Sequence, residues 1–232
     1  MLFACGEDNE EKPIEKEEVD VSFEKFYYPT IADGKTRYYR YLETIETDGQ
    51  DPYSFVSTRR IERNKDTLTF VEYQHFNDTT IAVDSSINLI KADGIHYLAS
   101  YFSNGSWIKF DGESKGVILP YDWKKVVETT FERSVSKETS ELSGRDPMKF
   151  VSKVRFQSLG ELTNDFEGKK KYAILKGKGK YELENSLPEF EMTYWQLEGF
   201  GMYYFEMNAS PNKFTSIAEK ELTEKEYKAL FK

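Results

Sequence analysis

From Phe23 onward the chain is divided into short runs in which apolar and polar residues alternate, each closed by glycine, asparagine, aspartate or proline. A period of two belongs to strands whose two faces meet different surroundings, and many such runs at close spacing point to an all-β sheet system. Thr36 to Ile45, Tyr53 to Ile61 and Thr67 to Phe76 read as a three-strand meander, with Asp48-Gly49 and Asn64-Lys65-Asp66 as turns. In the third strand Leu68 and Phe70, with Glu72 as a further candidate, share one face against Val71 and Tyr73. Ile87 to Ile90, Ile95 to Phe102 and Trp107 to Phe110 follow. Asp93-Gly94 and Asn104-Gly105 separate them, and such dipeptides suit hairpins because both residues accept positive φ. Residues 123 to 135 fit a strand through Val127, Thr129, Phe131 and Val135, although their charge also suits a helix. Ser136 to Pro147 reads as a polar loop. Phe150 to Phe156, Lys171 to Lys176, Tyr181 to Glu184, Phe190 to Leu197 and Met202 to Met207 complete the sheet, with Phe190, Met192 and Tyr194 on one side.

One helix is expected, at the carboxyl end. Thr223 and Glu226 have the spacing of a capping box, and Leu222 with Tyr227 that of a hydrophobic staple. Tyr227, Leu230 and Phe231 then share a stripe, and the helix is expected to close an end of the sheet.

The chain has 232 residues, enough for one sizeable core. Its 17 Phe and 16 Tyr favour half-buried pleated surfaces, which strengthens the β reading. The formal charge of -9 is uneven: residues 1 to 20 hold eight acids against Lys12 and Lys16, leaving the remainder close to balance. No basic stripe is present to neutralise phosphates, so nucleic acid is not an expected partner. No run approaches the ~18 apolar residues of a membrane-spanning helix. A single cysteine, at position 5, rules out an internal disulfide and any multi-cysteine metal site.

Leu2-Phe3-Ala4-Cys5-Gly6 resembles the lipobox of bacterial lipoproteins. The resemblance implies that residues 1–4 are the remnant of a signal peptide and that Cys5 becomes a lipidated amino terminus. At ~0.8 kcal/mol per buried CH₂, two or more acyl chains hold a protein on a membrane. Residues 5–20 are too charged and too poor in apolar groups to fold, and read as a disordered tether to a single β-rich domain over 21–232. An acidic cluster just after the cysteine also resembles the signal that carries some Gram-negative lipoproteins to the cell surface. The outer membrane is therefore the expected location, with its outer surface and its periplasmic face as the two placements.

A wider resemblance rests on four segments: Tyr27-Tyr28-Pro29 to Gly34 with Tyr38-Tyr39-Arg40-Tyr41; Leu119-Pro120 with Trp123; Glu167-Gly168-Lys169 to Tyr172; and Tyr194-Trp195 to Gly199-Phe200-Gly201, then Met202 to Glu206. Together they resemble a group of uncharacterised Gram-negative envelope lipoproteins. The resemblance implies a curved antiparallel sheet, a half-barrel or open clam related in outline to lipoprotein carriers, with a short carboxyl-terminal helix. It implies no reaction and no catalytic residue.

The residues themselves agree with that silence. Gly34-Lys35-Thr36 lacks the first glycine of a phosphate loop, and Gly199-Phe200-Gly201 lacks the third of a dinucleotide fingerprint. His75 and His96 begin no metal-binding spacing, and no Gly-x-Ser-x-Gly elbow occurs. No cofactor, metal or catalytic residue is expected. Glu189 and Glu191, two apart on one strand, are the alternative on which a carboxylate-dependent glycoside hydrolase could be built. The preferred reading is a non-catalytic binding or accessory lipoprotein for a hydrophobic ligand, a glycan or an envelope protein. Trp107, Trp123, Tyr194 and Trp195 are its candidate ligand platforms, because aromatics on a concave sheet can hold a sugar face or an acyl chain. A purely structural lipoprotein without a small-molecule site is the other alternative.

Overall fold

The computed structural model describes residues 22–76, 79–102, 107–109, 117–134, 149–164, 168–182 and 189–231. Cys5 and the acidic segment, the Asn104-Gly105 turn, Val135 and the Ser136 to Pro147 loop lie outside these residues.

The described residues build one large antiparallel sheet, nearly closed into a barrel, with two short helices. The strands are β1 (Thr36–Thr47), β2 (Tyr53–Asn64), β3 (Thr67–Phe76), β4 (Thr79–Lys91), β5 (Gly94–Phe102), β6 (Trp107–Lys109), β7 (Leu119–Pro120), β8 (Thr129–Ser134), β9 (Lys149–Asn164), β10 (Gly168–Glu182), β11 (Phe190–Leu197), β12 (Gly201–Ala209) and β13 (Asn212–Leu222). Helix α1 spans Glu24–Tyr27 and α2 spans Glu224–Ala229. Their order across the sheet is β6-β5-β4-β3-β2-β1-β13-β12-β11-β10-β9-β8, with β7 added beside β5. Strand β1 is the spine: it pairs with β2 on one side and with β13 on the other, so the two halves of the chain wind away from it in opposite directions. The two ends of the sheet approach through side chains, the Thr129 hydroxyl donating to the Val117 carbonyl at 2.7 Å and the Phe131 ring lying 5.9 Å from that of Tyr97.

The expected mainly-β fold with a curved sheet and a carboxyl-terminal helix is what the chain adopts. The differences are local. Strand β10 runs unbroken through Gly177-Lys178-Gly179, where two strands were expected. Phe190 on the neighbouring strand covers Gly179 so closely that a Cβ there would lie 2.6 Å from its ring. Residues 123 to 128 form neither the expected strand nor a helix; Asp122 accepts from the backbone N–H groups of Lys124 and Lys125, turning the chain toward β8, which begins at Thr129. Strand β13 has no counterpart in the expected elements, because its inward positions Ser216 and Ala218 are small and interrupt the apolar rhythm.

The capping box of α2 is present: Glu226 N–H donates to Thr223 Oγ1, and Thr223 N–H to Glu226 Oε2. The helix does not close an end of the sheet. It packs on the outer face, with Tyr227 4.5 Å from the Tyr38 ring, and the chain just beyond it sets Phe231 4.8 Å from Tyr73 and 5.3 Å from His75. On β1 those outward residues alternate with Tyr39, Tyr41 and Glu43, which face the interior.

One end of the interior is plugged. Helix α1 and the chain up to Ile31 insert Phe26, Tyr27 and Tyr28 among Tyr39, Leu197 and Phe200. Thr30 N–H donates to the Gly199 carbonyl and Gly199 N–H to that of Lys25. Gly201 permits this approach: its φ is 94°, and a Cβ would stand 3.2 Å from Tyr28 Cα.

Candidate functional site

Beyond the plug the interior remains hollow, with a cavity of about 660 Å³. Most of its wall is apolar: Phe131, Phe150 and Val154 come from β8 and β9, Phe205 and Met207 from β12, and Phe214 from β13. Period-two alternation along each strand places them there; Met207, for example, sits opposite Phe214 and Met192.

Strands β1, β2 and β3 bring three charged side chains to the interior, beside the β12 and β13 part of that wall. Arg59 donates from Nε to Glu72 Oε2 at 2.6 Å and reaches Glu43 Oε1 from its terminal nitrogen at 3.5 Å. Its guanidinium carbon lies 4.1 Å from the centre of the Tyr41 ring, a cation–π contact that the planar group is suited to make. Glu43 is fully buried and also accepts from the Ser57 and Ser216 hydroxyls at 2.7 and 3.2 Å. Among the described residues its second oxygen, Oε2, has no partner. Burial raises the Glu43 carboxyl to about 7; the nearby Glu72 charge adds to the rise, while Arg59 and the two serines oppose it. Two carboxylates thus share one guanidinium, and the cluster is short of one positive charge whenever Glu43 ionises.

Gln196 supplies a second polar point. It lines the same cavity from β11, is 4% exposed, and its Oε1 has no partner among the described residues. Gln74, Ser85 and Asn88 add polar groups from β3 and β4.

The sequence-predicted platforms are scattered. Tyr194 lines the cavity. Trp123 is buried beside the plug, its indole N–H donating to the Tyr27 hydroxyl, which in turn donates to the Pro120 carbonyl at 2.6 Å. Trp195 faces outward, stacked 5.2 Å from Tyr172 and tilted against Tyr204 at 5.4 Å; Tyr172 covers Gly160, whose Cβ would lie 2.4 Å from its ring. Trp107 lies in β6, paired with Tyr101, and its side chain is outside the description. Of the two glycosidase candidates, Glu189 precedes β11 and Glu191 is exposed, paired with Lys178 at 3.0 Å. His96 pairs with Asp93 at 2.8 Å and His75 with Thr58 at 2.8 Å; among the described residues no group of three metal-ligating side chains occurs.

The Glu43–Arg59–Glu72 cluster was not among the expected site residues. Its signal was nonetheless in the pattern, because Glu43 continues the inward alternation of Tyr39 and Tyr41, and Glu72 that of Leu68 and Phe70.

No protein-family model matches the chain, and no curated protein sequence matches it. Among solved structures it is similar to a protein of Bacteroides fragilis inferred to be exported and of YmcC-like fold, with a TM-score of 0.48 and 9% identity over 86% of this chain and 100% of that one. It is also similar to a chain of Parabacteroides distasonis inferred to be a lipoprotein, with a TM-score of 0.47 and 12% identity over 85% of this chain and 99% of that one.

Proposed function

We propose that this chain is a lipid-anchored envelope protein whose sheet interior binds a hydrophobic ligand without transforming it. The observation that carries the reading is the interior itself: a cavity of about 660 Å³ behind a plugged end, walled by aromatic and aliphatic side chains with a small set of fixed polar groups. That combination falls in the ~300–1,000 Å³ range and the composition of pockets that hold small organic ligands. A purely structural lipoprotein has no use for such a hollow, because a packed interior stabilises a fold better than an empty one. The Leu2-Phe3-Ala4-Cys5 pattern and the acidic tether support attachment through Cys5 at the outer membrane.

Titration with the apolar dye N-phenyl-1-naphthylamine tests the cavity. Saturable fluorescence enhancement at one site per chain is expected, and it is expected to vanish when Met207→Trp fills the interior. Absence of saturable binding contradicts the reading. Labelled palmitate tests the anchor in cells producing the protein from its own locus: label on the wild type and none on Cys5→Ala is expected, and an unlabelled wild-type product contradicts it. Protease accessibility in intact cells then separates the cell surface from the periplasmic face.

A further inference from the structure

The floor of the cavity is the plug itself, since Tyr27, Pro29 and Gly201 line it. Two buried amides stand at that level and also line the cavity. Gln196 pairs across the sheet with Ala173 and Met202, and both Ala173 and the adjacent Leu197 belong to the core packed on the plug. Asn88 pairs with Leu68 of the same core and donates to the Ser86 hydroxyl at 3.3 Å. Gln196 is the one left wanting: it is 4% exposed, and its Oε1 has no partner among the described residues. Met207 and Phe214, by contrast, lie near the turn between β12 and β13, about 16 Å further along the strand from Met202 at ~3.3 Å per residue. The two charged residues among the described lining, Arg59 and Glu72, are bonded to each other at 2.6 Å, and Arg59 also covers the face of Tyr41. The cavity therefore offers neither a cation nor an anion a free counter-charge.

We propose that the ligand is an uncharged amphiphile that enters polar end first, its hydroxyl donating to Gln196 Oε1 beside the plug and its chain lying against Phe131, Phe205 and Met207. This rests on the reading of the interior as a binding cavity. A buried acceptor without a donor carries a desolvation penalty, and a ligand that supplies the donor recovers it. The amide turns about its last side-chain bond, so its oxygen swings toward the cavity without any movement of β11. A charged head taken to the same depth loses its water and finds no counter-charge, a cost that one hydrogen bond does not offset. A head left in water at the far end would contribute nothing to the choice, and amphiphiles of equal chain length would then bind alike. The depth of the polar end is what makes the cavity selective.

The experiment is displacement of bound N-phenyl-1-naphthylamine from the full chain by dodecanol, dodecylamine and dodecanoate, each below its aggregation concentration, at about pH 7, where the amine is protonated and the acid ionised. Dodecanol is expected to bind at least about tenfold tighter than either charged analogue. In Gln196→Met, which keeps the length of the side chain and removes the amide, that advantage is expected to shrink severalfold. Nuclear Overhauser effects from the C1 methylene of ¹³C-labelled dodecanol are expected at the methyl groups of Ile61 and Leu119, which line the cavity beside the plug, and not at that of Met207. A charged analogue binding as tightly as dodecanol overturns the proposal, as do C1 contacts to Met207 or an advantage that Gln196→Met leaves unchanged. The head-group comparison and the Overhauser contacts use the wild type and need no variant to fold. Failure of all three to displace the dye, or of the dye to bind, instead overturns the cavity reading beneath it.

Discussion

Arg59 holds two carboxylates inside a sheet interior that is otherwise mostly apolar, and that arrangement has consequences for stability that can be measured separately from binding. Removing the guanidinium in Arg59→Met leaves Glu43 and Glu72 without their counter-charge, and a loss of about 3 to 5 kcal/mol is expected in chemical denaturation. The triple change of Glu43, Arg59 and Glu72 to Gln, Met and Gln is expected to recover most of that loss. A single substitution as harmful as the triple one would show that the charges are not coupled. Glu43 adds a pH dependence. An acid whose folded pKa lies above its unfolded value stabilises the fold in its protonated form, so the contribution is complete below about 4.5 and is lost as pH rises through about 7. Between those limits the melting temperature of the wild type is expected to fall relative to that of Glu43→Gln; parallel curves for the two proteins would contradict this. The inward direction of Glu43 and Glu72 was legible from period-two alternation. Their convergence on Arg59 was not, because it depends on the register of β1 against β2 and of β2 against β3. Arg59 and Arg60 are adjacent, and only that register decides which of them faces inward.

At the scale of elements, the carboxyl-terminal helix shows what local chemistry does and does not determine. Thr223 and Glu226 were readable as a capping box because the reciprocal hydrogen bonds need only a three-residue spacing. Where the helix docks was not readable, since the stripe of Tyr227, Leu230 and Phe231 fits any apolar surface, and the one it meets is assembled from Tyr38, Tyr73 and His75 on different strands. Loss of the cap in Thr223→Ala is expected to cost about 0.5 to 2 kcal/mol, read as a shift in the denaturation midpoint with the slope unchanged. A midpoint that does not move would mean that the helix contributes nothing to the cooperative unit. Strand β10 illustrates the opposite failure, in which a local signal misleads: Gly177 and Gly179 look like a break, yet ring cover from Phe190 and the pairing to β9 carry the strand through them.

At the scale of the whole molecule, the motifs that resemble an envelope lipoprotein group gather largely at the plugged end. Tyr27 bonds to Pro120, Trp123 to Tyr27, and Tyr39 packs edge-on against Phe200 at 4.7 Å. These residues are spread over the chain, so their common purpose could not be read along it; in space they seal one end and leave the cavity behind. Three of the four candidate aromatics divide for the same reason, Tyr194 in the cavity wall, Trp123 at the seal and Trp195 outside. The interior as a ligand site is the claim on which the account depends. It is tested most directly by intermolecular nuclear Overhauser effects between bound N-phenyl-1-naphthylamine and the protein's methyl groups in ¹³C-labelled protein. The account predicts contacts to Val154 and Met207, which face the cavity from different strands. Contacts confined to Leu42 and Ile217, which are exposed on the outer face, would contradict it.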